Sequence, residues 1–299
     1  MKSYLRLSCG ILLAAATSSA AQELSPLRLE PSSGYYHRGV IESADFDTID
    51  GRTVQARWDH IVARFGNREW RGFQVGLGFA WEFTRPDYGG IVSRNRDLHR
   101  VQVPITFEKR YADWALSGYL APTIATSSNV LRQFPSEGSS SDLTMSARIL
   151  ATWPGDSPEL SWQLGLINDR RFGSTKLYPT GGFIYESGPW HLEFLLPQPR
   201  AGLQIGERQR LEGRIYPAGQ SWHVKNKFTG GEYTYFLEGW RAEFGWHWKA
   251  HRRFGLGLSV GYEFDRRHEY VDDESIPQRS DVENSPFIAL TLTGSWSKQ

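Results

Sequence analysis

The chain has 299 residues, with 34 Lys and Arg against 33 Asp and Glu, a net charge of +1. That balance excludes the strongly basic surface on which a nucleic-acid partner depends. A single cysteine, Cys9, excludes a disulfide framework or thiolate metal site built from the chain's own residues.

The amino terminus reads as a secretory signal peptide over residues 1–21. Lys2 and Arg6 form the charged start, Ile11 to Ala16 the apolar segment, and Ser19-Ala20-Ala21 a small-residue cleavage site before Gln22. Cleavage removes Cys9 and leaves a mature charge of −1. The apolar segment is too short for a membrane helix, and no later segment has about 18 consecutive apolar residues. Residues 22–32 read as a polar, Pro-bearing arm, and residues 33–299 as one domain.

That domain is a series of alternating segments. A strand points successive side chains to opposite faces. Phe73, Val75, Leu77, Phe79, Trp81 and Phe83 share one face, with Gln74, Gly76, Gly78, Ala80 and Glu82 on the other. Val101, Val103, Ile105 and Phe107 alternate with Arg100, Gln102, Thr106 and Glu108. Leu143 to Trp153 alternates with Thr144, Ser146, Arg148 and Thr152, and Leu160 to Leu166 with Ser161, Gln163 and Gly165. Leu211, Gly213 and Ile215 face away from Arg210, Glu212 and Arg214; Trp240 to Trp248 face away from Arg241, Glu243, Gly245 and His247. In Phe254–Asp265 the even positions are all apolar or aromatic, and the odd ones are Gly255, Gly257, Ser259, Gly261, Glu263 and Asp265. Such runs are long enough to cross a bilayer as tilted strands, and longer than the usual strand of a soluble sandwich.

Short turns are expected at Gly66–Arg71, Arg110–Asp113, Pro154–Pro158, Ser187–Pro189, Gly206–Arg208 and Ala250–Arg253. Long loops are expected at Glu42–Arg52, Arg85–Asp97, Ser127–Ser141, Asp169–Lys176, Ala218–Glu232 and Arg266–Ser285, with a tight connection at Pro197-Gln198. This alternation of short and long connections is that of outer-membrane barrels. Trp70, Trp114, Trp153, Trp190 and Trp248 fall beside the short turns, and Trp296 ends the last strand, so six of the 12 Trp mark one rim. Indole rings favour a membrane interface. The fold class is therefore all-β, a transmembrane antiparallel up-and-down β-barrel. Its count is fourteen strands, or twelve if the Pro-broken region Trp190–Gly206 contributes none. A mean hydropathy of −0.48 fits such a barrel, since only alternate residues meet lipid.

Ile288 to Trp296, apolar at alternate positions with a late aromatic, resembles the carboxy-terminal signal that outer-membrane barrels present to their assembly machinery. Gly294 and the trailing Ser297-Lys298-Gln299 depart from it. Leu195-Leu196-Pro197, the Gly-and-aromatic strands around Trp240 and Tyr262, and Gly261-Tyr-Glu-Phe-Asp-Arg-Arg-His-Glu-Tyr270 carry a second likeness. Over about Trp190 to Trp296 the chain resembles an uncharacterised family of bacterial outer-membrane barrels. The resemblance implies the fold and an outer-membrane location, and brings no substrate or catalytic residue.

With the aromatic faces toward lipid, the charges at Glu82, Arg100, Glu108, Arg148, Arg210, Glu212, Arg214, Arg241, Glu243, Glu263 and Asp265 face the lumen. An Arg turned to lipid at the midplane costs about 2–4 kcal/mol. Five bases and six acids read either as a salt-bridged brace or as a solute pathway. His247 and Glu243 stand four residues apart on one face, too far for contact, and His247, His251 and His268 lack metal-site spacing. No local nucleophile–base motif appears. The acidic Tyr270–Ser275 stretch with Asp281 and Glu283 reads as solvated charge or a cation-recruiting loop. Arg170, Arg171 and Lys176 read as loop charge or lipid-phosphate contacts. The expectation is thus a non-enzymatic pore, transport or structural barrel of the outer membrane, without cofactor or metal. Its expected partners are outer-membrane lipid, lipopolysaccharide and the assembly machinery. The alternative is an outer-membrane enzyme acting on lipid or peptide.

Overall fold

The computed structural model describes residues 27–36, 39–44, 53–87, 97–225, 231–272 and 277–296. The signal peptide, residues 22–26 of the arm, loop residues 45–52, 88–96, 226–230 and 273–276, and residues 297–299 lie outside the described residues. No described helix is long and apolar enough to cross a membrane.

Eighteen strand segments make one sheet. The first seven are β1 (Leu27–Tyr36), β2 (Gly39–Ala44), β3 (Thr53–Trp70), β4 (Phe73–Asp87), β5 (Leu98–Gln102), β6 (Ile105–Arg110) and β7 (Ala115–Ser127). Two short helices, α1 (Ser128–Arg132) and α2 (Phe134–Glu137), precede β8 (Leu143–Pro154). Then come β9 (Leu160–Phe172), β10 (Ser174–Ser187), β11 (Trp190–Leu196), β12 (Arg200–Ile205) and β13 (Gln209–Pro217). The last are β14 (Gln220–Lys225), β15 (Glu232–His251), β16 (Phe254–Asp272), β17 (Pro277–Val282) and β18 (Ser285–Trp296).

Four couples of segments run on against a shared neighbour: β1 with β2, β5 with β6, β13 with β14, and β17 with β18. Pro104 explains the break between β5 and β6, since it has no N–H to donate; its carbonyl still accepts from Gly78 N at 2.8 Å. Counting each couple once, the described residues trace fourteen runs, antiparallel except where β14 meets β7 in parallel. The Trp190–Gly206 region supplies two of them, β11 and β12, which are short.

Closure corrects the reading of the arm. Leu27 to Ser32 belong to β1, which pairs with β18 from Leu27↔Trp296 to Tyr36↔Phe287 and with β3 on its other edge. An unpaired edge in hydrocarbon would strand every backbone donor and acceptor along it. Pro31 is tolerated because it falls where the ladder to β18 skips from Leu29 to Ser32.

Side-chain exposure follows the alternation. Leu77, Phe79, Leu120, Ile149, Leu164, Leu166, Phe244, Leu258, Val260, Tyr262, Ile288 and Leu290 are exposed on the outer face. Soluble monomers rarely expose so continuous an apolar band. Trp70, Trp114, Trp153, Trp190 and Trp248 are all exposed at the end that carries the short turns. Arg71 lies over the Trp70 ring, and Lys109 over Phe73 and Tyr111, giving the girdle cationic edges.

Beyond overlaps at their edges, three of the expected loops carry strand well inside their bounds. Between β9 and β10 stands only Gly173, at φ +79°, where the expectation was a loop over Asp169–Lys176. A left-handed glycine allows a reversal too tight for other residues. Within Arg266–Ser285, β16 continues to Asp272 and pairs with β17. Cross-strand ion pairs, Arg279 to Glu269 at 2.7 Å and Arg267 to Asp281 at 3.2 Å, hold charges that read as solvated loop. Within Ala218–Glu232 lies β14.

β14 gives the barrel two storeys. β7 pairs with β8 as far as Ile124↔Leu143. Beyond that level β8 is gone, and β14 takes the vacated edge at His223↔Thr126. The sheet there closes through β14, β15, β16, β17, β2, β3, β4, β5 and β7, by-passing β8 to β13. These nine strands are close to the roughly eight whose interior side chains alone can fill. The loop-end storey is therefore narrow, and the turn-end storey wide.

Candidate functional site: a sealed and ion-paired lumen

The narrow storey is filled by an apolar core. Trp222 and Val224 of β14 are fully buried against Leu98 of β5, Ala125 of β7, Tyr235 of β15 and Tyr270 of β16. The Tyr235 and Tyr270 rings lie 4.5 Å apart, and Trp222 stacks on Tyr235 at 6.0 Å. Each such burial contributes about 1.5–3 kcal/mol. The Trp222 Nε1 proton has no hydrogen-bond partner in this core, at a cost of about 1–3 kcal/mol.

β14 pairs with β15 along all six residues, and on its other edge it is held among the described residues by isolated bonds. Gly219 N donates to Arg171 O at 2.7 Å, Thr126 Oγ1 to His223 O at 3.0 Å, and Asn129 Nδ2 to Lys225 O at 2.9 Å. His223 also faces the fully buried Asp142 carboxylate at 3.1 Å.

Below β14 the lumen is occupied by ion-paired side chains. Glu82 faces His60 at 3.1 Å and Arg100 at 3.9 Å, and Gln220 of β14 donates to it. Arg214 meets Glu243 at 2.5 Å, and Tyr216 Oη donates to the same carboxylate at 2.9 Å. Glu263 is bracketed by Arg241 and Arg266, each at 3.1 Å. Asp169 is engaged by Arg171 at 2.8 Å and by Tyr178 Oη at 3.1 Å. Glu193 is engaged by Arg200 and His191.

Of the eleven expected lumen charges, four pairs are brought together: Glu82 with Arg100, Arg214 with Glu243, Arg241 with Glu263, and Arg210 with Glu212 at 2.9 Å. Arg148 lies over the Tyr119 ring at 5.4 Å. Glu108 pairs with Arg110 at 2.9 Å, exposed near the turn end. Asp265 is the correction. It sits at φ +53° in a register shift between Glu238 and Trp240 of the partner strand. A bulge adds a residue and reverses the alternation beyond it. Asp265 is exposed, and Arg266, His268 and Tyr270 turn inward instead.

Arg266 was hidden from the sequence by that bulge, Asp169 and Arg171 by the loop reading, and His60 by a strand with apolar residues on both faces. The oxygen on Tyr216 was legible as the next inward position after Arg210, Glu212 and Arg214.

Two cavities flank β14. Ser221 lines one, with Arg100, Tyr119, Ser146 and Arg170. Gln220 and Trp222 line the other, with His60, Glu82 and Arg241. Their volumes are ≈ 40 and ≈ 50 Å³. That is room for a few waters or a small polar group, and not a bore.

One nucleophile–base contact lies elsewhere. Ser128 Oγ stands 2.6 Å from His99 Nε2, while Trp81 Nε1 donates to His99 Nδ1 at 3.2 Å. An indole N–H only donates, so Nδ1 is the acceptor and the neutral ring carries its proton on Nε2. That tautomer donates to Ser128 and does not take its proton.

No family model and no curated protein matches the chain. Among solved structures it is similar to an outer-membrane channel from Pseudomonas putida F1, at a TM-score of 0.47 and 8% identity over 94% of this chain and 98% of that one. It is similar to the toluene transporter TodX of P. putida, at 0.44 and 8% over 92% and 91%. It is also similar to outer-membrane phospholipase A of Escherichia coli, at 0.35 and 10% over 89% and 92%.

Proposed function

We propose that this chain is an outer-membrane conduit for small polar solutes, closed at its loop end by β14. The observation that carries the reading is the seat of β14: a six-residue strand sealing the narrow storey, hinged on its full ladder to β15 but joined to β7 at a single paired position and burying an unbonded indole N–H. A permanent brace is expected to be satisfied throughout. A closure must be stable when shut, yet cheap to leave. The loop end then faces outward, and the termini and tryptophan girdle face the periplasm. Export by a cleaved signal peptide, lipopolysaccharide around the wall, and delivery by the assembly machinery through β18 belong to the same reading.

The closure is testable with a lock. Thr126 and His223 are paired neighbours on adjacent strands, a spacing that admits a disulfide. The sequence has no cysteine after Cys9. The double variant Thr126→Cys with His223→Cys should be silent in planar bilayers when oxidised, and show stepwise conductance when reduced. Silence in both states, with the wild type also silent, would make β14 a brace. Release of fatty acid from phospholipid by the purified barrel would favour the enzyme reading.

A further inference from the structure

The cavity beside Ser221 is lined by more positive than negative charge, the positive charge all on half-buried arginine. Arg100, Arg170 and Arg171 line it, with Asp169 as its one carboxylate. Asp169 is committed to Arg171 Nε at 2.8 Å and to Tyr178 Oη. Arg170 donates to two hydroxyls, Thr175 Oγ1 at 3.0 Å and Ser221 Oγ at 2.8 Å, and has no carboxylate partner among the described residues. Arg100 donates to Gln102 Oε1 at 3.1 Å. Its carboxylate partner, Glu82, stands 3.9 Å away outside the lining and is shared with His60, so the cation left without a carboxylate in the lining is Arg170.

A further guanidinium borders the site. Arg148 shares the inward face of β8 with Thr144 and Ser146, and lies over the ring of Tyr119, itself part of the lining. Its Nε is buried with no hydrogen-bond partner. A half-buried guanidinium short of counter-charge, as Arg170 is, or short of an acceptor, as Arg148 is at Nε, calls for an oxygen acceptor. The hydroxyls of Thr144, Ser146 and Ser221 are further donors that rotate to suit an acceptor. This donor excess rejects cations, and its polarity rejects hydrocarbon.

We infer that this cavity binds a small oxyanion, the carboxylate or phosphate group of an acidic solute. The inference deepens the conduit reading, because Ser221 belongs to β14 and an occupant there meets the closure itself. Binding does not require conduction, so the two fail separately: a barrel that never conducts can still give binding heat.

The test is isothermal titration of the folded barrel in detergent with inorganic phosphate and, separately, acetate, at constant ionic strength so that screening does not change. Saturable binding of at least one is expected, weakened at least about tenfold by Arg100→Gln and by Arg170→Gln. Arg110→Gln, outside the cavity, should leave it unchanged. Ser146→Asp supplies a tethered carboxylate. It should abolish anion binding while raising the urea midpoint of unfolding, an effect no generally disruptive substitution produces. Absence of saturable heat up to about 50 mM of either anion, or binding equal in wild type and both arginine variants, overturns the site.

Discussion

Arg214 and Glu243 show what the lumen demands of a single residue. Their side chains are 9% and 7% exposed, and Tyr216 donates to the same carboxylate. Two charges taken this far from water recover their desolvation only through each other. Arg214→Met should therefore destabilise the barrel by about 3–5 kcal/mol, because Glu243 stays buried without its cation. Arg214→Met combined with Glu243→Leu should cost much less, since no orphaned charge remains. Urea midpoints of the barrel in vesicles measure both, and a double variant as unstable as the single one would refute the account. The exposed Glu108–Arg110 pair is the contrast: Glu108→Gln should change stability by under about 1 kcal/mol. Glu108 and Glu243 looked alike as inward charges in an alternating pattern. Burial depth separates them, and it depends on how far each residue lies from the turn end, which alternation does not encode.

At the scale of the element, strand alternation was legible wherever the ladder is regular and was lost wherever it is not. Phe254 to Glu263 place their faces as the pattern predicts, with Phe254, Leu258, Val260 and Tyr262 exposed and Glu263 buried. Asp265 breaks the series because a left-handed residue inserts a bulge, and a bulge has no signature in polarity alone. β14 was read as loop for a related reason. Its Gln220, Ser221, His223 and Lys225 look solvated, while Trp222 and Val224 alone carry the apolar face that seals the storey. Its departure from the wall depends on Gly219. A Cβ there would stand 2.5 Å from Gly173 N and 2.6 Å from Arg171 O, both backbone atoms that cannot yield as a side chain does. Gly219→Val should prise β14 from the β9–β10 reversal and break the 2.7 Å bond to Arg171 O. The expected outcome is a barrel that still folds and conducts more often than wild type in planar bilayers. Unchanged conductance in a folded Gly219→Val barrel would mean that the closure does not pivot there.

At the scale of the whole molecule, the face of the sheet that is apolar distinguishes a membrane wall from a soluble one. A soluble barrel turns its apolar face to the interior and its charges to water. Here the interior holds Glu82, Arg214, Glu243 and Glu263, and the exterior holds the leucines and aromatics. The neighbours Gln163 and Leu164 on β9 put this to a direct test. Gln163 is buried at 3% exposure and Leu164 is 58% exposed. In water, replacing an exposed leucine with arginine is nearly neutral, within about 0.5 kcal/mol. Facing hydrocarbon, the same change costs about 2–4 kcal/mol near the midplane and falls toward zero at the interfaces. Leu164→Arg should therefore lower the unfolding free energy in vesicles by that larger amount. Trp153, at the girdle, marks the interface, so Trp153→Arg should cost less than Leu164→Arg although Trp153 is the less exposed of the two. The gradient is the diagnostic quantity. Equal and small losses at both positions would place the apolar face in water, and with it the wall, the closure and the conduit would all need another explanation.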